Sequence, residues 1–276
     1  MGSRGMDKIP VSVLVTTLNE EKTIERCLES CRNFGEVIVI DSHSTDKTAE
    51  ISRDCGARVE LYTWDGQYPK KRGWCLENLN ITYDWVFWLD ADEVLTPEIT
   101  CEIAEIFKTP LGMVGYFVKG QYVWKGQKLS YGMANNKLVL FNRHKMEFPI
   151  VDDLDIDGMG EIEGHYQPVL KKGFEQSGIG QIKEPLLHYA YEDERSWEER
   201  HQRYAHWEAE MTRRRAWPQD PVWWREILKK TIRTSFLRPY IMFFYAFIWK
   251  QGFRDGQAGL DFAKSRYHYC RMIRRL

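Results

Sequence analysis

The chain has 276 residues, 43% of them hydrophobic and 29% charged, with a formal net charge of −1. That length fits one large domain, or one domain with a substantial appendage, and the composition supports an ordinary folded core. Near-neutrality argues against a dedicated nucleic-acid binder, and six Cys scattered at 27, 31, 55, 75, 101 and 270 complete no zinc set and read as reduced thiols of a cytosolic protein.

The first hundred residues alternate in character. "MGSRG" ahead of Met6 reads as a cloning remnant, no signal peptide is visible, and residues 1–9 are set aside as remnant and tail. "VSVLVTT" (11–17) is a β-branched apolar run and predicts a buried strand. "NEEKTIERCLESC" predicts a helix capped by Asn19, and "EVIVID" (36–41) a second strand. "STDKTAEISRDC" (44–55) predicts a second helix, with Ser44 or Thr45 as cap. "ARVELY" predicts a third strand, 68–79 a third helix, and "WVFWLD" (85–90) a fourth strand. "TPEITCEIAEIF" (96–107) carries Thr96 as cap and Pro97 at the first helical position. Strictly alternating strands and helices imply a mostly parallel sheet covered on both faces. After Lys108, "MVGYFVKGQYVW", "KLVLFN" and "EPLLHYAY" read as strands between longer loops, and from Glu192 the chain turns helical over about 192–215, 221–249 and 257–273.

Ligands of parallel α/β sheets bind outside the carboxyl ends of the strands. There the first strand ends "TTLNEE", the second "DSHSTDKT" and the fourth "DADE". A core has no use for those acids, because like charges repel and desolvation makes the repulsion worse. "TTLNEE" is neither a dinucleotide-binding glycine loop nor a P-loop, which argues against a dehydrogenase or a P-loop ATPase. Paired carboxylates without a phosphate cradle suit a hard divalent cation, Mg²⁺ or Mn²⁺, bridging protein acids to a diphosphate.

"VSVLVTTLNEEKTIERCLES", "EVIVIDSHSTDKT", "KKRGWCLE" and "WVFWLDADE" together resemble the family-2 glycosyltransferases with the GT-A fold. "EIEGHYQPV", "EPLLHY" and "RHQRYAHWEA" resemble a bacterial subgroup that builds cell-envelope polysaccharides, including lipopolysaccharide core. The resemblance implies a Rossmann-like catalytic domain over 10–192, with a nucleotide-binding half (10–107) and an acceptor half (108–192), followed by a helical extension over 193–276. It implies an inverting, metal-dependent hexosyltransferase using a nucleoside-diphosphate sugar, by default a UDP-sugar. Thr17, Asn19 and Glu20 would line the nucleotide pocket, and Asp41 would accept from the base or ribose. Lys71 or Arg72 would stand near the nucleotide. Asp90 would face ribose or a metal-bound water or join the metal's ligands, and Asp92 would ligate the metal. His188 reads either as a core-edge histidine bonded to backbone or as a further metal ligand or diphosphate contact.

Inversion also needs a carboxylate to take the acceptor's proton. The acidic loop 151–167 is the candidate region, with Glu163 favoured and Asp153 second. Two other functions compete: a nucleotidyltransferase, which would normally show a glycine-rich loop near the first strand, and a non-enzymatic membrane or nucleic-acid adaptor, which leaves the strand-end acids unexplained.

Charge is unevenly distributed. From Arg195 to Leu276 Lys and Arg outnumber Asp and Glu by 18 to 8, leaving 21 against 32 for residues 1–194, and the tail holds six of the eleven Trp. Its apolar run from Tyr240 to Trp249 is half of what a span requires. With flanking Lys, Arg and Trp it reads as an interfacial helix, including Phe243, Phe244 and Trp249 among its lipid-facing side chains, the alternative being a buried helix packed on the catalytic domain. These features predict an enzyme peripheral to the inner face of the cytoplasmic membrane, acting on a lipid-linked or oligosaccharide acceptor and binding no nucleic acid.

Overall fold

The computed structural model describes residues 8–109, 111–156, 159–161, 167–191, 193–217 and 223–276. The first half is β1 (Ile9–Thr17), α1 (Ile24–Ser30), β2 (Phe34–Asp41), α2 (Thr48–Asp54), β3 (Arg58–Leu61), α3 (Lys71–Asn78), β4 (Trp85–Asp90), β5 (Glu93–Val94) and α4 (Pro97–Ile106). β6 (Met113–Trp124), β7 (Gln127–Lys128), β8 (Asn135–Asn142), β9 (Met146–Glu147), β10 (Val169–Leu170), β11 (Gly178–Gln181) and β12 (Leu186–His188) follow. The chain then continues as α5 (Glu194–Arg214), α6 (Trp223–Thr234), α7 (Arg238–Phe244) and α8 (Gly256–Arg275).

Among the described residues the main sheet runs β3-β2-β1-β4-β8-β6-β12-β5, with β7 and β11 also on β6. β3, β2, β1 and β4 are parallel, as their βα alternation dictates. β8 is antiparallel to both β4 and β6, so the strands after α4 turn the parallel sheet into a mixed one. Continuous apolar runs are what a strand covered on both faces needs. β4 accordingly buries Trp85 through Leu89, and β1 buries Val13, Leu14 and Val15 completely. α4 begins as expected, with Thr96 accepting from the Ile99 amide and Pro97 in the first turn.

Three helix starts differ from expectation. α1 begins at Ile24, because Asn19 sits at φ 57° and its side chain reaches across to the β2 loop instead of capping. α2 begins at Thr48, because Ser44, Thr45 and Asp46 are engaged in turn bonds with Asp41, Asn19 and Thr48. α3 is confined to 71–78. The tail helix expected over 221–249 breaks before Pro239, whose ring cannot continue the ladder, and ends in a π turn, Tyr245–Trp249.

α8 packs on α5 and α7 and closes the apolar cluster of Trp124, Leu129, Trp197 and Phe262. The π turn is tied to the core by the Gly132 amide donating to the Lys250 carbonyl, 2.8 Å.

Candidate active site

Strand register brings the expected residues to one edge. Thr17 pairs with Asp41 across β1 and β2, and Thr16 with Asp90 across β1 and β4. The loops beyond are knitted together. Asn19 accepts from the Thr45 amide at 2.8 Å, and the Glu20 amide donates to Thr48 Oγ1 at 2.7 Å. Asp41 is buried and accepts from the Ser44 amide and hydroxyl, so its carboxylate closes the β2 turn. Thr17 Oγ1 is buried beside this turn with no hydrogen-bond partner among the described residues.

The "DADE" acids divide their work. Asp90 Oδ1 accepts from Arg72 at 3.0 Å, and Oδ2 from Lys137 at 2.8 Å. Burial alone would raise the Asp90 carboxyl, but these two cations hold it well below the usual carboxylate range. Glu93 is fully buried; its Oε2 accepts from the Asp90 amide at 3.1 Å, and its Oε1 lies 2.6 Å from Lys137. Burial pushes the Glu93 carboxyl up. Burial by itself would lower the Lys137 ammonium, yet Asp90 and Glu93 raise it and keep it charged.

Asp92 faces the other way. Its Oδ2 lies 3.4 Å from His188 Nε2 and 3.6 Å from Arg200 Nη1. β12 pairs antiparallel with β5, His188 opposite Glu93, which carries the imidazole to the acids; Tyr122 stacks on it at 5.1 Å. Burial would lower the His188 ring, but Asp92 outweighs it and raises the ring above its ordinary value. His188 lies beside the acids Asp92 and Glu93, and its Nδ1 has no hydrogen-bond partner among the described residues. Beside Asp92 a cavity of about 240 Å³ is lined by Glu20 and Tyr189 and by Ser196, Arg200 and Arg203 of α5.

Among the described residues no three His, Cys, Asp or Glu side chains are arranged to hold a metal ion. Asp92 and His188 still fit one as a pair. Two adjacent ligands on bonds of 2.0–2.1 Å stand about 3 Å apart, and Mg²⁺ commonly takes one or two protein ligands and completes its shell with phosphate and water. Asp90, expected among the ligands, has both oxygens occupied by cations.

The acidic loop lies over the same edge. Glu161 accepts from Ser42 at 2.6 Å and meets Lys71 at 2.5 Å. Glu163 lies outside the described residues. Asp153 is fully buried, 2.9 Å from Lys70 Nζ, and accepts from Tyr68 and the Trp207 indole at 2.8 and 3.0 Å. Among the described residues this candidate base is thus enclosed, as a buried tie between the loop, the segment leading into α3, and α5. Lys137 and Arg200 were missed by sequence reasoning; the one signal for Lys137 was a lysine leading an apolar strand, and Arg200 lay inside "RHQRYAHWEA".

A parallel α/β half with a cation-balanced acid cluster at its carboxyl edge defines the class of α/β proteins whose ligands bind outside the strand ends. Within that class the profile of glycosyl transferase family 2 matches residues 12–174, and the chain belongs to that family. An uncharacterized glycosyltransferase of Rickettsia typhi is 31% identical over 167 residues, 55% of this chain and 56% of that protein. The lipopolysaccharide core biosynthesis glycosyltransferase LpsC of Rhizobium meliloti is 32% identical over 116 residues, 40% of this chain and 42% of LpsC. The chain thus matches about half the length of these relatives. Among solved structures, glucosyl-3-phosphoglycerate synthase of Mycobacterium tuberculosis with phosphoglyceric acid aligns over 74% of this chain and 79% of its own, at 20% identity and TM-score 0.46.

Proposed function

We propose that this chain is an inverting glycosyltransferase that moves a hexose from a nucleoside-diphosphate sugar, a UDP-sugar by default, to a hydroxyl of a lipid-linked glycan of the bacterial envelope. The observation that carries the reading is the Asp92–His188 pair beside Asp90 at the end of β4. The relative named for lipopolysaccharide core biosynthesis supports the envelope assignment.

Thr17, Asn19, Glu20 and Asp41 form the wall that receives the nucleotide, Asp41 acting through the turn it closes. Asp92 and His188 would hold Mg²⁺ or Mn²⁺. The ion, when bound, supplies positive charge against the diphosphate oxygens. Lys137 and Arg72 neutralise Asp90 and Glu93, so those acids do not repel the diphosphate. Arg200, at the cavity beside Asp92, offers a further cation toward the leaving group. Glu163 takes the acceptor's proton as the glycosidic bond forms, opposite the departing diphosphate.

The test is donor hydrolysis and transfer measured over UDP-, GDP-, CMP- and dTDP-sugars, with and without Mn²⁺. Turnover of one donor, lost in EDTA and in Asp92→Asn, is the expected result. No turnover of any donor, with the same protein adenylylating or uridylylating a sugar phosphate, would move the assignment to a nucleotidyltransferase.

A further inference from the structure

The segment from Phe236 to Phe253 presents a series of apolar side chains to solvent. Leu237, Tyr240, Ile241, Phe244, Tyr245 and Ile248 are all exposed, Phe244 by 57% and Ile248 by 54%. Their spacing is i, i+3, i+4, i+7, i+8, i+11, which makes one continuous stripe on a helix. In a helix that packs on a core, that stripe faces inward; here the inward face is already supplied by Pro239 and Ala246, with Met242, Phe243 and Phe247 half-buried. Trp249 is 77% exposed and Phe236 68% exposed at the two ends of the stripe. Phe243, expected among the outward aromatics, instead packs against Phe247 with ring centroids 5.6 Å apart. A helix that is apolar all round and covered on one side only has a second apolar neighbour to find.

The ridge is built as a platform. Arg238, at the start of α7, turns inward to Glu208 of α5, which also accepts from Tyr269 of α8 at 2.8 Å. Gly252 and Gly259 let the 3-10 turn and α8 meet backbone to backbone, since a Cβ on Gly259 would stand 1.9 Å from the Gly252 carbonyl. Asp255 accepts from the Ser130 and Tyr131 amides at 3.0 and 2.8 Å, fastening the turn to the loop between β7 and β8. The same α5 brings Arg200 to Asp92, so the ridge and the acid cluster share one rigid helix.

Charge selects the occupant. Between Trp223 and Arg254 there are seven Lys or Arg, of which Arg238 is turned inward to Glu208, and one acidic residue, Glu226. A second copy docking through the same ridge would bring two basic faces together, which electrostatic complementarity opposes. An anionic surface with an apolar interior satisfies both features, with Tyr and Trp at the level of the headgroups. No helix among the described residues is long and apolar enough to cross a membrane, so the contact is in-plane.

We propose that the face formed by Phe236, Tyr240, Ile241, Phe244, Ile248 and Trp249 docks on an anionic lipid bilayer, and that α5 thereby holds the acid cluster at a fixed height above the headgroups. This deepens the lipid-linked acceptor reading and rests on it for the purpose of docking, though not for the docking itself.

The experiment is flotation of the full chain with vesicles of phosphatidylcholine, alone or mixed with phosphatidylglycerol, at low and high salt. The wild-type chain floats with the phosphatidylglycerol vesicles at low salt and is released as salt rises. Phe244→Ser with Trp249→Ser lowers vesicle affinity at least tenfold while the melting temperature and solution donor hydrolysis stay at wild-type values. Lys250→Glu with Arg254→Glu, both exposed, weakens binding to the mixed vesicles with little effect on the small binding to phosphatidylcholine. Absence of flotation at low salt overturns the proposal. So does a wild-type dimer in sedimentation that the serine variant abolishes while vesicle binding persists, or unchanged binding by the glutamate variant. Flotation without turnover of any nucleotide sugar would leave the docking standing and defeat the transferase reading.

Discussion

His188 Nε2 lies 3.4 Å from Asp92 Oδ2, although nearly a hundred residues separate them in the chain. The β12–β5 pairing makes the contact, because His188 stands opposite Glu93 in the register. A carboxylate and an imidazole this close, at the carboxyl edge of a parallel sheet, are suited to act as a ligand pair for the proposed metal. Asp92→Asn and His188→Ala are each expected to abolish Mn²⁺-dependent binding of UDP in calorimetry while the far-UV circular dichroism stays native. Metal-dependent binding that survives both changes would place the ion elsewhere.

Lys137 answers the question that "DADE" raises. It lies 2.8 Å from Asp90 and 2.6 Å from Glu93, itself largely buried. Removing one partner of a buried pair leaves an uncompensated charge, at a cost of about 3–5 kcal/mol. Lys137→Met should therefore lower the melting temperature sharply, and adding Glu93→Gln should restore part of the loss. Neighbouring charges couple by about 0.5–3 kcal/mol in double-mutant cycles. Additive effects would show that the lysine and the glutamate do not act as a unit.

Much of this edge was legible in the chain. Apolar runs that end at Thr17, Asp41 and Asp90 announce three parallel strands, and the register sets those ends side by side. What was not legible is tertiary pairing. Lys137 reads as any lysine beside a strand until β8 lies antiparallel to β4, and Arg200 as one charge among many on α5. Asp153 reads as a loop acid, free to act as a base, because nothing local announces that Lys70, Tyr68 and Trp207 will enclose it. The π turn after Phe244 and the break at Pro239 escaped because apolar periodicity runs straight through both.

Asp153 makes the contrast measurable. Asp153→Asn removes the carboxylate that stands 2.9 Å from the buried Lys70 Nζ and accepts from Tyr68 and Trp207. The expected outcome is a stability loss of about 1–3 kcal/mol by urea denaturation, the cost of weakening a buried polar network, with kcat reduced only in proportion to the folded fraction. Native stability with turnover lost would return Asp153 to the chemistry.

Glu36 gives a pH signature away from the active site. Burial would raise its carboxyl, but the Ser12 hydroxyl, the Thr82 amide and hydroxyl, and Arg58 hold it below its ordinary value. A depressed folded value means the stabilisation is present above the unfolded carboxylate range and is lost as pH falls through the folded value. Glu36→Gln should therefore melt below wild type at neutral pH, and the gap should close as pH falls through and below the ordinary glutamate range. A gap independent of pH would assign the effect to packing.

The base is the remaining chemical requirement. An acceptor hydroxyl cannot attack efficiently while it keeps its proton, and Asp90, Asp92 and Glu93 are all engaged with basic side chains. Glu161 is tied to Lys71 and Ser42, which anchors the acidic loop over the edge of the sheet. Glu163 is two residues further on. Glu163→Gln should lower kcat by about 10² to 10⁴, the usual worth of general-base help, while donor affinity and melting temperature hold. Because the carboxamide cannot take a proton, raising pH should recover part of the rate by ionising the hydroxyl directly, and the pH profile of the variant should lose its acidic limb. A variant with wild-type kcat, or one whose loss lies wholly in donor affinity, would remove Glu163 from that role and point to Glu161 as the next carboxylate to replace.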